Sequence, residues 1–418
     1  MAKPQFFLFL LLFLFLTHQS LQQQQQQISA ADLAALHDIR NSLRDLPHSD
    51  FFSTWDFAAP NPCSTFTGLL CSPDPSATAT PLLRVTSLTL GTGLAGSPGL
   101  VGSLTPALSN LTALTQIVLY SGFVSGSIPP QLGTLKNLRV ISLTNNRLSG
   151  PIPCSLSTLP NLHTLDLSGN QLGGPVPASL TRLPSLKVLI LASNHLSGEL
   201  PNVTTQLLHL DLKNNRFSGL LPSMPLSLRY LSLCKNEMWG PLNVLVRLSE
   251  LVYLDLSMNS FSGSIPESLF RPTLSSLLLQ RNNLSGGVPR TLADDATLYG
   301  EGSIVDLSHN ILSGELSPVL AGVEILFLNS NRLIGIVPDE YVRSVSVGSM
   351  KTLYLQHNYL SGFPLEPGSP PLPDSASLCL SYNCMVPPIG TMTCPANAGG
   401  LFSRPAYQCQ AIHRGNAD

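Results

Sequence analysis

The sequence predicts an α/β repeat solenoid, in which short parallel strands stack coil upon coil around one continuous core. Three observations carry that expectation. The pattern L-x-L-x-x-N-x-L-x-G recurs, its leading apolar pairs beginning at residues 88, 117, 141, 165, 189, 210, 231, 254, 277, 305, 326, 353 and 378. An Asn closes most of these units, at 146, 170, 194, 215, 236, 259, 282, 310, 331, 358 and 383, with Gly122 the one clear departure. Gly-x-x-Pro follows, as in Gly126-Ser-Ile-Pro129 and Gly263-Ser-Ile-Pro266, where Gly permits a turn and Pro fixes an extended exit. A strand with two apolar residues is too short to stand alone, so each copy has to share its core with the next.

Composition sets compatible bounds on the 418-residue chain. Hydrophobic residues make up 43% and charged residues only 11%, which excludes a disordered chain and a coiled coil. A formal net charge of -2 leaves no basic surplus for nucleic acid or acidic lipid. With 31 Gly and 35 Pro, about one residue in six, long helices are disfavoured.

From the N-terminus, Lys3 precedes an apolar run from Phe6 to Leu16 and the polar Thr17-His18-Gln19-Ser20. The run is too short to span a bilayer and reads as a secretory signal peptide over 1–20, followed by a Gln-rich tail over 21–28. No later segment is apolar enough to span, and the polar C-terminus carries no anchor signal. Ser29 is placed to cap a helix carrying Leu33, Leu36, Ile39 and Leu43, which would cover the open end of the array. An N-terminal cap is expected over 29–84, about twelve repeats over 85–374, and a Cys-rich C-terminal cap over 375–418. Copies of 28 and 27 residues lie around Ala293 and Ser344.

The units Leu165-Asp-Leu167-Ser-Gly-Asn170 and Leu254-Asp-Leu256-Ser-Met-Asn259 are leucine-rich repeats. With the Gly-x-x-Pro exits, the sequence from 29 to about 409 resembles the plant extracellular leucine-rich repeat family of receptor ectodomains, receptor-like proteins, wall proteins and polygalacturonase-inhibiting proteins. The resemblance implies a right-handed superhelix with a concave parallel sheet, a second short sheet and disulfide-bonded caps. Trp55-Asp-Phe57 with Cys63 and Cys71 resembles the family's N-terminal cap, with Phe66 where that cap has a second Trp, and implies a Cys63–Cys71 disulfide. Cys379, Cys384, Cys394 and Cys409 resemble the closing cap, and their three possible pairings stay open. Cys154 and Cys234, three repeats apart and on different faces, are expected to be free thiols. Asn110, Asn202 and Asn283 head N-x-[ST] glycosylation sequons.

The positions between strand leucines point away from the core, because strand side chains alternate. Ahead of the first strand leucine, three successive repeats read His209, Tyr230 and Tyr253, and beside them stand Asp211, Lys213, Arg229, Lys235, Asp255 and Arg281. Tyr and Arg anchor interfaces because they bring large contact area with a polar end. His209, Arg229, Tyr230, Lys235, Tyr253 and Arg281 are therefore the candidate binding residues, with Phe327, Tyr354 and His357 extending the aromatic character. Asp166, Asp211, Asp255 and Asp306 share a column and are read as part of the repeat, not as metal or acid–base groups. No phosphate loop, nucleophile elbow, His-Glu-x-x-His or Cys-x-x-Cys motif occurs, so neither an enzyme nor a cofactor or metal is expected. The reading is a secreted recognition module that takes an extracellular peptide, protein or wall polysaccharide, with a membrane receptor kinase as a further partner. The alternatives, by resemblance, are an inhibitor of a wall-degrading glycosidase such as polygalacturonase, and a wall scaffold.

Overall fold

A computed structural model describes residues 27–75, 82–94, 97–289, 299–365, 371–388, 393–395 and 403–415. The expected leader and residues 21–26 of the Gln-rich tail lie outside these. The chain divides into two compact units, Met1–Gln171 and Leu172–Asp418.

In the first unit the parallel strands Leu82–Leu90, Gln116–Leu119, Val140–Leu143 and Thr164–Asp166 pair in chain order. Leu88, Ile117, Ile141 and Leu165 stand opposite one another in successive strands and are fully buried. Each such side chain contributes about 1.5–3 kcal/mol on leaving water, and it can leave water only because a neighbouring coil covers it. Short 3₁₀ turns such as Pro130–Thr134 and Cys154–Thr158 return the chain on the other side.

The helix Ala30–Ser42 buries Ala35, Leu36 and Ile39 against the first coil. Ser29 does precede it, but its side chain makes no capping bond, contrary to expectation. Its backbone is held instead, its N–H donating to the Leu83 carbonyl at 2.9 Å while its own carbonyl accepts from Leu33. The acid of the first turn is Asp32, a fully buried carboxylate that accepts from the Val85 N–H at 2.8 Å and pairs with Arg84 at 3.1 Å. A negative charge there also suits the positive end of the helix dipole. Trp55 stacks on Phe66 with centroids 4.9 Å apart, so a phenyl ring does the packing that the resemblance assigns to indole. Cys63 is bonded to Cys71.

The second unit is built from the same kind of coil. Its parallel strands are Val188–Ile190, His209–Asp211, Tyr230–Ser232, Tyr253–Asp255, Ser276–Leu278, Ile304–Asp306, Ile325–Phe327, Thr352–Tyr354 and Ser377–Cys379. A second series of short strands, including Arg216–Gly219, Glu237–Gly240 and Ser260–Ser264, pairs alongside. At the far end Cys379 is bonded to Cys394 and Cys384 to Cys409, one of the three pairings left open. There the Arg404 guanidinium lies over the Tyr359 and Tyr382 rings, at 3.9 and 4.5 Å.

The asparagines explain how so many strand ends stay satisfied away from water. Asn358, fully buried, accepts from the Leu333 N–H of the preceding coil at 3.0 Å and donates to the Leu328 and Leu355 carbonyls at 3.0 Å. Asn146, Asn170, Asn310 and Asn383 repeat the arrangement, each supplying the donor and acceptor that a turning backbone needs. At the exception, a Cβ on Gly122 would lie 2.8 Å from the Leu100 carbonyl oxygen, which is why no side chain stands there.

Candidate ligand-binding face

His209, Tyr230 and Tyr253 occupy the same register position on three adjacent parallel strands of the second unit. Coil stacking therefore brings their rings face to face. His209 and Tyr230 lie 4.0 Å apart and 3° from parallel, Tyr230 and Tyr253 4.4 Å apart and 4° from parallel. All three rings are half-buried. Burial, then the nearby Asp211, pushes the Tyr230 phenol pKa up; burial, then Asp255, does the same to Tyr253. Both phenols are thus neutral donors at any physiological pH.

The charged neighbours separate into two kinds. Asp211, Asp255 and Asp306 stand in the column two residues on and turn inward, each carboxylate accepting the N–H of the residue two ahead at 3.0–3.1 Å. Asp166 does the same in the first unit. This is why the repeat carries Asp there, and Asp211 and Asp255 contribute little to the outer surface, at 6% and 8% exposed. Lys213 bridges Asp211 at 3.1 Å; burial lowers its pKa, but the bond and charge of Asp211 outweigh that and leave it raised. Arg229 is exposed just ahead of Tyr230, and its carbonyl accepts from Val252 and Tyr253 in the next coil.

Lys235 and Arg281 are placed differently from the expectation that they flank strand leucines. Each follows its strand, in the turn, with left-handed φ of 54° and 57°. The tight turn into the buried Asn demands that conformation, and it lifts both side chains to the exposed rim of the face. Phe327 and Tyr354 form a separate pair, edge to face at 5.2 Å, in the column of the aspartates. His357 sits in a turn, 5.0 Å from Tyr382. The first aromatic column ends at Ser276, so these groups do not prolong it.

Sequence reasoning missed the column immediately before the strands, where Lys187, Leu208 and Val252 accompany Arg229. Leu208 and Val252 are 42% and 39% exposed, apolar surface beside the rings. Their signal was their register, one residue ahead of the aromatic column. The sequon residues Asn110, Asn202 and Asn283 are all exposed. In the second unit, Asn202 lies in the return connection and Asn283 on the second strand series, so glycans there would leave the ring-bearing face bare. Cys154 and Cys234 are both free, Cys154 exposed and Cys234 half-buried, its thiol 3.1 Å from the Ser257 hydroxyl. Among the described residues no group of three His, Cys, Asp or Glu side chains is gathered as a metal would require.

The family model described as leucine rich repeat N-terminal domain matches residues 29–72. Leucine rich repeat models match 112–172, 136–196, 206–226 and 250–271. The chain is a leucine-rich repeat protein of the plant extracellular type. Among solved structures, this leucine-rich repeat protein is similar to the Arabidopsis receptor kinase HAESA, solved with the peptide hormone IDA and the co-receptor SERK1. Identity is 30% over 85% of this chain and 58% of that one, with a TM-score of 0.66. The plant peptide hormone receptor RGFR1, in complex with RGF2, is 28% identical over 68% of this chain and 50% of that one, with a TM-score of 0.56. The protein thus spans less than two thirds of these receptor chains. A plant ice-binding protein is 26% identical over 82% of this chain and 99% of that one, with a TM-score of 0.55. No curated protein sequence matches. Among the described residues no helix is long and apolar enough to cross a membrane.

Proposed function

We propose that the protein is a secreted recognition module that binds an extracellular peptide across the parallel strands of its second unit, with a membrane receptor kinase as its further partner. The observation that carries this reading is the stack of His209, Tyr230 and Tyr253, flanked by exposed apolar and cationic side chains. Such rings offer large, stiff contact area at small cost in side-chain entropy, and their phenols and the cations beside them fix orientation. The similar receptors HAESA and RGFR1 are solved with peptide hormones, which supports a peptide over a wall glycan as the ligand.

The test is capture of peptides from an extracellular extract, followed by calorimetry on the captured peptide with wild type and with the double variant Tyr230→Ala, Tyr253→Ala. The variant is expected to lose about 2 kcal/mol of binding, roughly thirtyfold in affinity, while keeping its melting temperature within a few degrees. Unchanged affinity in a folded variant would remove this face from consideration.

A further inference from the structure

Resting on the reading that this face takes a peptide, we infer that its ligand is an acidic segment in polyproline II conformation with two carboxylates three residues apart, one engaging Lys235 and the other Arg281. The argument starts from the register. Lys235, Met258 and Arg281 hold the same place in three successive coils, with φ of 54°, 56° and 57°. Each N–H donates to the coil beyond it, Lys235 to Ser257, Met258 to Gln280 and Arg281 to Ser308, at 2.9–3.0 Å. Two coil spacings therefore separate Lys235 from Arg281, about 9.6 Å at the usual distance between strands. Hydrogen bonding on every coil makes that separation a fixed property of the surface.

Few peptide conformations match it. Polyproline II rises 3.1 Å per residue and returns to the same face every third residue, so positions i and i+3 lie about 9.3 Å apart. A β-strand returns to one face at i+2 or i+4, about 6.7 or 13 Å, missing the spacing on both sides. An α-helix offers i+7, about 10.5 Å, but only as a cylinder about 10–12 Å wide. Between the two cations Met258 is 41% exposed, an apolar contact for the residues that separate the carboxylates. On the same coils as Lys235 and Met258, the rings of Tyr230 and Tyr253 add the aromatic surface on which polyproline II ligands pack.

Charge selects the sign of the ligand. Asp255 accepts from the Ser257 N–H at 3.0 Å and its hydroxyl at 2.6 Å, and Asp306 from the Ser308 N–H at 3.0 Å, so these two acids are held by their own turns, while exposed Glu237 stands on the second strand series. Burial, and then the Arg281 charge, lowers the pKa of nearby His309. Solvent meets cations here even though the whole chain carries a net charge of -2.

Calorimetry on the full chain tests this with proline-rich octapeptides carrying two glutamates at spacings of two, three and four. A lysine version of the three-residue spacing and a helical peptide with glutamates at i and i+7 complete the set. The three-residue spacing is expected to bind about fivefold tighter than every other peptide, with affinity falling as salt rises. The variant Lys235→Asn, Arg281→Asn should lose about tenfold and with it the spacing preference; Asn is chosen because it already occupies the left-handed position at 145 and 214. Arg216→Asn, on the second strand series, is the control and should bind as wild type. Equal affinity across spacings, preference for the helical peptide, or a preference that survives in the Lys235/Arg281 variant overturns the inference. A captured natural peptide that needs Tyr230 and Tyr253 but ignores Lys235 and Arg281 would overturn it too, leaving the peptide-binding reading intact. Indifference to both pairs would remove that reading itself.

Discussion

Replacing Asn358 by Ala tests the device that lets these coils stack. The side chain is fully buried and makes three bonds at 3.0 Å, accepting from the Leu333 N–H and donating to the Leu328 and Leu355 carbonyls. The two carbonyls are not orphaned by its loss: Leu328 still accepts from Asn331 at 3.1 Å and Leu355 from Asn383 at 3.0 Å. The Leu333 N–H has no such reserve. An unsatisfied buried donor costs about 1–3 kcal/mol and each lost net bond about 0.5–1.5 kcal/mol, so the substitution should cost about 3 kcal/mol. At about 2–4 °C per kcal/mol for a unit of this size, that is a fall of about 6–12 °C in Tm. Hydrogen exchange followed by mass spectrometry should show the loss around Leu333 and Leu355 first, because a repeat array opens locally. Asn259 makes the same kinds of bond to Met238, Leu233 and Leu256 but is itself half-buried where Asn358 is fully buried, so water can enter in place of its amide and Asn259→Ala should cost about half as much. Equal losses at the two sites, or a melting temperature unchanged by Asn358→Ala, would refute the reasoning.

The two free cysteines should differ in reactivity. Exposed Cys154 is expected to react with a maleimide in the native protein well before Cys234, whose thiol pKa burial pushes up. Equal labelling rates would show that the register around Ser257 is wrong. Absorbance titration near 295 nm should find Tyr230 and Tyr253 still protonated at pH 10, because burial raises both phenols. Their folded pKa values lie above the unfolded one, so the stability they contribute is present below about pH 10 and is lost as pH rises further. A variant with Phe at both positions should therefore show the same phenolate absorbance at pH 10 as wild type; a smaller signal would mean that the two rings are freely solvated.

The periodic features were legible because the repeat physics writes them into every copy. Each expected strand start, from Leu88 to Leu378, lies in a parallel strand and is itself 0–1% exposed. What the pattern could not supply was conformation at single positions. Ser29 carries a residue type that caps helices, yet pairing of its N–H with Leu83 fixes the backbone and its hydroxyl is left without the role. Phe327 and Tyr354 looked like an extension of the aromatic character, but they stand two residues further along their strands, Phe327 opposite Asp306 and Tyr354 opposite Phe327.

The placement of the candidate face shows why such surfaces are only half readable. Counting from the buried leucines locates His209, Tyr230 and Tyr253, because a strand has one alternation and no freedom within it. Past the strand end the alternation fails: Lys235 and Arg281 point where a left-handed turn sends them, and the turn exists to deliver Asn236 and Asn282 to the interior. The core requirement at one residue thus sets the exposure of the residue before it. Because only the Asn is constrained chemically, the preceding residue can be Asn145, Ser193, Lys235, Met258, Arg281 or His357 at nearly the same φ, between 52° and 62°. A solenoid built this way carries a column of exposed positions at fixed spacing whose chemistry is independent of its stability, and the Lys235–Met258–Arg281 segment is where that freedom has produced a pair of like charges two coils apart.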